Sequence, residues 1–360
     1  MHIAIDASRT TVANPTGTER YALEVIRALI HLAPHHTFTL YFRDAPAPDL
    51  FPTSPHVTHK IIPFRRLWSH VRFAAALWAD KPDVTFVPAH ALPFIMPGRA
   101  VVTVHDLGYK LFPAAHPWKA RAYLDLTTRT SAARAAVILA DSQATADDLT
   151  RFYGTSAAKI RVAYPGVHTP PSGEGQAVRA KFNLPPRYFA YVGTLQPRKN
   201  IERLVQAFSA ARETLGENIG LVLAGGKGWL YDPAWAEGVA GVTLTGYISE
   251  EEKGGLIGGA LALTFPSLYE GFGFPVVEAM RLGTPVLASE TSSLPELTGT
   301  HAVLVNPLDV GAITAGMIRL ATDDALRADL SVAGVTQSAR FTWDACARVV
   351  LSALEEAAAR

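Results

Sequence analysis

Thirteen short apolar runs punctuate this chain, and their spacing constrains the fold more than any other feature. Seven fall in the first half, at 2–7, 37–42, 57–62, 84–89, 100–106, 135–142 and 160–166. Six fall in the second, at 188–193, 220–226, 242–246, 261–267, 285–290 and 302–307. Most are apolar at nearly every position. A strand wet on one face alternates, whereas one covered on both faces does not, so these runs read as strands inside parallel sheets. Helical patterns separate them. Residues 21–32 bring Tyr21, Val25, Ile26, Leu29 and Ile30 onto one wide face, and Pro34 follows its end. Alternating strand and helix predict an α/β protein with parallel sheets.

At 360 residues the chain exceeds one compact unit of the usual ~100–200. The Pro, Gly and Ser-rich stretch 168–176 marks the boundary. The reading is two Rossmann-like, doubly wound domains, 1–167 and 168–343, with a helix over about 344–360 returning to the first. Strand C-termini in such sheets open onto crevices, so the cleft between the domains is the expected ligand site. Charge divides the same way. Residues 1–165 hold 18 Lys/Arg against 12 Asp/Glu, while residues 166–360 hold 15 against 20. The sum is a net +1, which gives no support to a chain that coats nucleic acid. The single cysteine, Cys346, excludes an intramolecular disulfide and a Cys-rich zinc site. The opening residues read as a strand, with no signal-peptide pattern, and no run reaches the ~18–20 residues of a membrane helix. The expected location is cytoplasmic.

The most informative segment is Ser267-Leu-Tyr-Glu-Gly-Phe-Gly-Phe-Pro-Val-Val-Glu-Ala-Met-Arg-Leu-Gly283. Pro275 suits the start of a helix and Gly283 its end. Glu270 then sits in a loop at a strand's end, and Glu278 is expected in the helix's first turn. Glycines between them let a ligand approach the backbone. N–H groups at a helix start receive anions, and a carboxylate there can accept a ribose's paired hydroxyls. In isolation such a pair reads equally as a dipole-balancing acid and a solvated one. Arg198-Lys199-Asn200 follows the run 188–193 and opens another helical pattern, where adjacent cations suit a diphosphate or make a solvated basic turn. His105-Asp106 ends the run 100–106. No Gly-x-Gly-x-x-Gly occurs at the first turn and no P-loop spacing around Gly225-Gly226-Lys227-Gly228, so neither a nicotinamide dinucleotide nor a Walker-type site is supported. No Asp-x-Asp occurs.

These motifs together resemble the retaining glycosyltransferases of family 4, which have the GT-B fold. Glu270 and Glu278 flank Gly-Phe-Gly-Phe-Pro, with Glu-Ala-Met following, as in that family's signature. Further matches run in the family's order: Gly17-Thr-Glu-Arg-Tyr21, Val104-His-Asp106, Ala140-Asp-Ser142, Tyr164-Pro-Gly-Val167, Tyr191 to Asn200, Leu223-Ala-Gly-Gly226, Gly246-Tyr-Ile248 and Phe341-Thr-Trp343. The resemblance covers nearly the whole chain.

It implies a hexosyltransferase that moves a sugar from a nucleoside diphosphate donor, GDP-mannose or a UDP-sugar, to a saccharide or lipid-linked acceptor. By resemblance Glu278 binds the ribose, Glu270 the donor sugar near C3, and Gly271, Phe272, Gly273 and Phe274 line the sugar and phosphate. Arg198 and Lys199 stabilise the departing diphosphate. His105 lies against the donor sugar with Asp106 beside it, Gly17 belongs to a loop over donor and acceptor, and Gly246, Tyr247 and Ile248 lie near the base. Many relatives carry an Arg where this chain has Thr194, which shifts that work to Arg198. With Arg198 and Lys199 supplying positive charge, neither a metal nor another cofactor is expected. Alternatives are a same-fold epimerase, a pyridoxal-phosphate-dependent phosphorylase, or a two-domain sugar-binding protein.

Segment 60–73 places Lys60, Arg65, Arg66 and Arg72 beside Phe64, Trp68 and Phe73. Cationic ends on aromatic bodies suit an anionic membrane surface. A helix with its aromatics turned into the core would show the same pattern.

Overall fold

The computed structural model describes residues 1–12, 16–52, 54–64, 66–89, 91–115, 117–171 and 175–360. Each of the thirteen apolar runs coincides with one strand, to within two residues at its start. The chain forms two compact units, Met1–Gly166 with Phe341–Arg360, and Val167–Arg340.

In the first unit the strands are β1 (His2–Asp6), β2 (Thr37–Phe42), β3 (Val57–Ile61), β4 (Val84–Val87), β5 (Arg99–Val104), β6 (Val137–Ala140) and β7 (Ile160–Val162). They form one parallel sheet in the order β3-β2-β1-β4-β5-β6-β7. The chain winds outward from β1 to β3, then returns to β4 on the other side of β1. Loops leaving β1 and β4 therefore diverge and open a crevice at their C-terminal ends. The central strands are buried on both faces, as their unbroken apolar character requires, whereas edge strand β3 is largely exposed.

The chain rejoins this unit at Phe341. Gly166 lies so close to the incoming turn that a Cβ on it would be 2.3 Å from the Trp343 amide nitrogen. Thr342 caps the helix Trp343–Ala359, whose buried face carries Trp343, Cys346, Val350 and Leu354. Burial pushes the Cys346 thiol far up, so it is a core group. Arg161 anchors the far end through both oxygens of Glu356 at 2.9–3.0 Å.

The second unit has β8 (Arg187–Val192), β9 (Ile219–Ala224), β10 (Val242–Gly246), β11 (Ala262–Phe265), β12 (Val286–Ser289) and β13 (Val303–Val305), all parallel in the order β10-β9-β8-β11-β12-β13. The winding reverses between β8 and β11. Part of the stretch read as a linker belongs to this unit, because Pro171 packs against the helix Glu250–Gly258 closely enough that Gly254 has no room for a side chain. Ser172, Gly173 and Glu174 lie outside the described residues. Among the described residues no helix is long and apolar enough to cross a membrane.

Candidate active site

In the second unit the loops that carry Arg198, Lys199 and Glu270 leave the two strands that flank the reversal. After β8 the chain turns at Gly193, which presses against Gly225 at the end of β9. A Cβ on Gly225 would lie 2.1 Å from the Gly193 carbonyl oxygen, and its φ is +147°, so only glycine fits. A 3-10 turn, Pro197–Lys199, then presents both cations. Asn200 sets their position rather than meeting a ligand. Its backbone is left-handed, and its side-chain amide donates to the Pro266 and Pro307 carbonyls at 3.0 and 2.7 Å. These bonds, with Leu268 N–H donating to the Arg198 carbonyl at 2.9 Å, bolt the loop after β8 to the loops after β11 and β13.

The juxtaposition brings Arg198 and Lys199 onto Glu270. Lys199 Nζ donates to Glu270 Oε1 at 2.6 Å, and Arg198 lies 3.7 Å from Oε2 while donating to the Tyr269 carbonyl at 3.1 Å. Lys199 also stands 5.1 Å from the centroid of the Phe265 ring. The Lys199 and Glu270 side chains are 13% and 7% exposed. The backbone at Glu270 is fixed as well, since its N–H donates to Ser292 Oγ and its carbonyl accepts from Ser293 Oγ, each at 3.0 Å. Arg198, Lys199 and Glu270, which the sequence presents as two separate motifs, form one cluster.

Glu278 requires a correction. The helix Phe274–Arg281 starts after Gly273 with Pro275 in its first turn, so Glu278 falls in the second turn, beyond most of the helix's N-terminal field. Its buried charge is met instead by Lys253, whose Nζ lies 2.7 Å from Glu278 Oε1 and 2.8 Å from Glu250 Oε2. Lys253 escaped the sequence reading. The one signal for it is a lysine on a helix turn otherwise filled by buried Gly254, Gly255, Leu256 and Ile257. In the turn before the helix, Gly271, Phe272 and Gly273 are buried, Phe274 is half-buried, and the two phenyl rings meet edge-on at 5.1 Å. Gly246 closes edge strand β10 with φ +71° and accepts from Gly225 N–H at 2.8 Å. Tyr247 beyond it is 80% exposed, whereas Ile248 points into the apolar core and is not turned to a ligand. Thr194 packs against Gly228, where a Cβ would lie 2.7 Å from its methyl group.

The first unit carries the other residues. His105 follows β5 and is held on both ring nitrogens: Nδ1 donates to Asp141 Oδ2 at 2.7 Å and Nε2 to the Pro88 carbonyl at 2.9 Å. The Tyr21 ring meets it edge-on at 4.9 Å. Burial opposes a charge on His105, but the Asp141 carboxylate and the Pro88 carbonyl outweigh it and hold its pKa above the ordinary imidazole value. The orienting carboxylate is therefore Asp141, at the end of β6. Asp106 instead accepts the Gly108 amide at 2.8 Å, closing its own turn. Gly17 begins the helix Gly17–Leu32, whose start is fixed by Thr16 N–H donating to Glu19 at 3.0 Å and by the Arg9–Glu19 pair at 2.5 Å. The residues 13–15 before it lie outside the described residues.

A cavity of about 400 Å³ opens at this edge, lined by Asp6, Arg9, Trp68, His70, His105, Asp106, Tyr109 and Tyr123 among others. Asp6, at the end of β1, was not singled out in the sequence. It is buried, its Oδ1 accepts the Ser8 amide at 3.0 Å, and burial pushes its carboxyl up to about 6. Aromatic faces with mixed carboxylates and guanidinium groups suit a saccharide.

Segment 60–73 divides. Phe73 is wholly buried and stacks on Trp68 at 5.2 Å, Trp68 Nε1 donates to the Ile62 carbonyl, and Lys60 pairs with Asp80 at 2.6 Å. Phe64, Arg66, Leu67, Val71 and Arg72 are exposed. Arg65 lies outside the described residues. Two of the three aromatics thus serve the core.

Comparison with known proteins decides the family. Residues 176–336 match the glycosyl transferases group 1 and residues 15–170 match glycosyltransferase family 4. Over 297 residues the chain is 32% identical to the O-antigen chain mannosyltransferase B of Escherichia coli, covering 79% of this chain and 77% of that one. The chain belongs to the group 1 glycosyltransferases. It transfers a glycosyl group from a nucleotide-sugar donor to an acceptor. Its fold is GT-B, shared with sucrose-phosphate synthase from Thermosynechococcus elongatus (TM-score 0.72, 23% identity, 98% and 97% of the two chains). HepE of Anabaena, solved with UDP and glucose, is as similar (TM-score 0.73, 16% identity, 98% and 99%).

Proposed function

We propose that this glycosyltransferase is a retaining, metal-independent mannosyltransferase that takes mannose from GDP-mannose and extends a cell-surface polysaccharide or its lipid-linked precursor. The Arg198–Lys199–Glu270 cluster at the β8/β11 reversal carries the reading of the reaction. The likeness to an O-antigen chain mannosyltransferase supports the choice of sugar. Arg198 and Lys199 receive the diphosphate, and they favour bond cleavage because the leaving group gains negative charge as the glycosidic bond breaks. Their two positive charges occupy the role a divalent ion has elsewhere. Glu270, held between them, accepts hydroxyls of the donor sugar, while Glu278, held by Lys253, accepts those of the ribose. His105, locked by Asp141 and Pro88, offers the sugar a fixed ring. No protein nucleophile is assigned. The acceptor hydroxyl attacks from the face the diphosphate leaves, gives its proton to a departing phosphate oxygen, and the anomeric configuration is kept.

The cavity beside Asp6 and Trp68 seats the acceptor. Exposed Phe64, Leu67 and Val71 with Arg66 and Arg72 supply a reversible contact with an anionic inner-membrane surface, and we place the enzyme on the cytoplasmic side. Thermal-shift screening with GDP, UDP, ADP and dTDP, then GDP release from GDP-mannose in chelator, tests the donor. A shift with UDP alone would replace mannose from GDP-mannose by a UDP-sugar, and no nucleoside diphosphate release from any donor would overturn the reading.

A further inference from the structure

Three metal-ligating side chains converge on the edge of the first unit's sheet opposite His105. His35 and His36 follow the helix Gly17–Leu32, and Glu355 stands near the end of the helix Trp343–Ala359. One ligand atom of each lies within 4.8 Å of the other two. His36 Nε2 is 3.6 Å from Glu355 Oε1, and the two imidazole rings are centred 4.1 Å apart at a 58° tilt. His36 is only 8% exposed, and its Nε2 is buried with no hydrogen-bond partner among the described residues, the Glu355 oxygen being too far for one. Its Nδ1 meets the Met1 nitrogen at 3.3 Å, so the unsatisfied nitrogen is the one turned toward Glu355. Burying a polar atom in this state is unfavourable and calls for an unplaced partner. His35 and Glu355 are exposed, which gives an ion a route in from solvent.

We propose that His35, His36 and Glu355 bind one divalent transition-metal ion, best matched by Zn2+. Two imidazole nitrogens and one carboxylate oxygen, completed by water, form a tetrahedral set of the kind zinc takes, with ligand distances of about 2.0–2.2 Å. Ligands that close to one ion stand a little over 3 Å from each other, so the His36–Glu355 pair at 3.6 Å is nearly in place, and a ligand atom of the exposed His35 lies within 4.8 Å of both. The nitrogen donors disfavour Mg2+ and Ca2+. The ion would tie the turn after the first long helix to the C-terminal helix. The site lies at the start of β1, whereas Asp6 and His105 lie at strand C-termini, so the ion touches no reacting group. Its effect is on stability, because an ion that binds only the folded chain raises stability by mass action.

The test uses the full chain without an affinity tag, stripped with chelator and titrated with ZnCl2 by calorimetry, with thermal scans in Zn2+ and Mg2+. One Zn2+ should bind per chain, and Zn2+ but not Mg2+ should raise the Tm. His35→Ala and Glu355→Gln, both surface changes, should each weaken binding at least about tenfold, remove the Tm rise and leave nucleoside diphosphate release unchanged. Co2+ should give a tetrahedral visible absorption band that both variants lose. Absence of saturable Zn2+ binding, or unchanged affinity in either variant, would overturn the site.

Discussion

Lys199→Ala is the substitution that most directly joins the geometry to the chemistry. It removes a cation 2.6 Å from a carboxylate, with both side chains largely buried. At an effective dielectric of ~20, two unit charges at that distance attract by about 6 kcal/mol before desolvation is subtracted. Breaking a buried pair from one side costs about 3–5 kcal/mol, because the remaining charge stays buried. Arg198, 3.7 Å from the other carboxylate oxygen, remains and softens the loss. The expected stability loss is therefore about 2–3 kcal/mol, or about 5–10 °C in Tm for a unit of this size. Turnover carries a separate loss. The leaving diphosphate loses one stabilising cation, worth about 2–4 kcal/mol on the barrier and roughly 30- to 1,000-fold in kcat. Glu270→Gln separates the two effects. Adding it to Lys199→Ala removes the orphaned carboxylate, so the double variant should recover most of the lost Tm while staying at least as inactive. Unfolding scans and nucleoside diphosphate release at saturating donor provide the cycle. Full turnover in Lys199→Ala, or a double variant whose Tm loss is the sum of the singles, would refute the reasoning.

Asp141→Asn should lower kcat by at least about tenfold while leaving nucleoside diphosphate binding intact, since it frees the His105 ring without touching the second unit. Because the folded pKa of His105 is raised, its stabilisation is complete below about 6.5 and is lost as pH rises through the folded value. This alkaline loss should disappear in Asp141→Asn, as read by denaturant unfolding across pH 6–10. Asp6 behaves as an acid held protonated: its contribution is present below its unfolded pKa of about 3.9 and is lost as pH rises through about 6. Asp6→Asn should therefore stabilise the protein at pH 7.5 by at most about 3 kcal/mol, with no gain below about pH 4 in the same unfolding measurement. Gly225→Ala forces a Cβ to 2.1 Å from the Gly193 oxygen at φ +147°. It should cost about 2–5 kcal/mol in unfolding experiments and weaken GDP binding by shifting the loop that carries Arg198.

The fold was legible because burial on both faces leaves a signature every few residues. All thirteen runs coincide with a strand, and even edge strands β3 and β10 retain enough apolar character to be found. The positions of Glu270, Arg198 and Lys199 at strand ends were legible too, because a charged loop after an apolar run is a local pattern. Their pairing was not, since residues 71 apart in sequence meet only through the crossing from β8 to β11. The same holds for His105, whose partner lies 36 residues away on the next strand while the adjacent Asp106 turns to its own loop. From sequence Pro275 reads as the helix start and puts Glu278 in the first turn, whereas the helix begins one residue earlier, at Phe274 after Gly273, which moves Glu278 into the second. Ile248 belongs to a motif read as lying near the base, but an apolar side chain follows the core when one is within reach.

Hydrogen–deuterium exchange with and without GDP tests the central claim most directly. If the diphosphate sits at the β8/β11 reversal on Arg198 and Lys199, protection should appear in 193–200 and 266–282 and should vanish from both in Lys199→Ala. Protection confined to the first unit, around 6–18 and 88–106, or protection unchanged by that substitution, would contradict it.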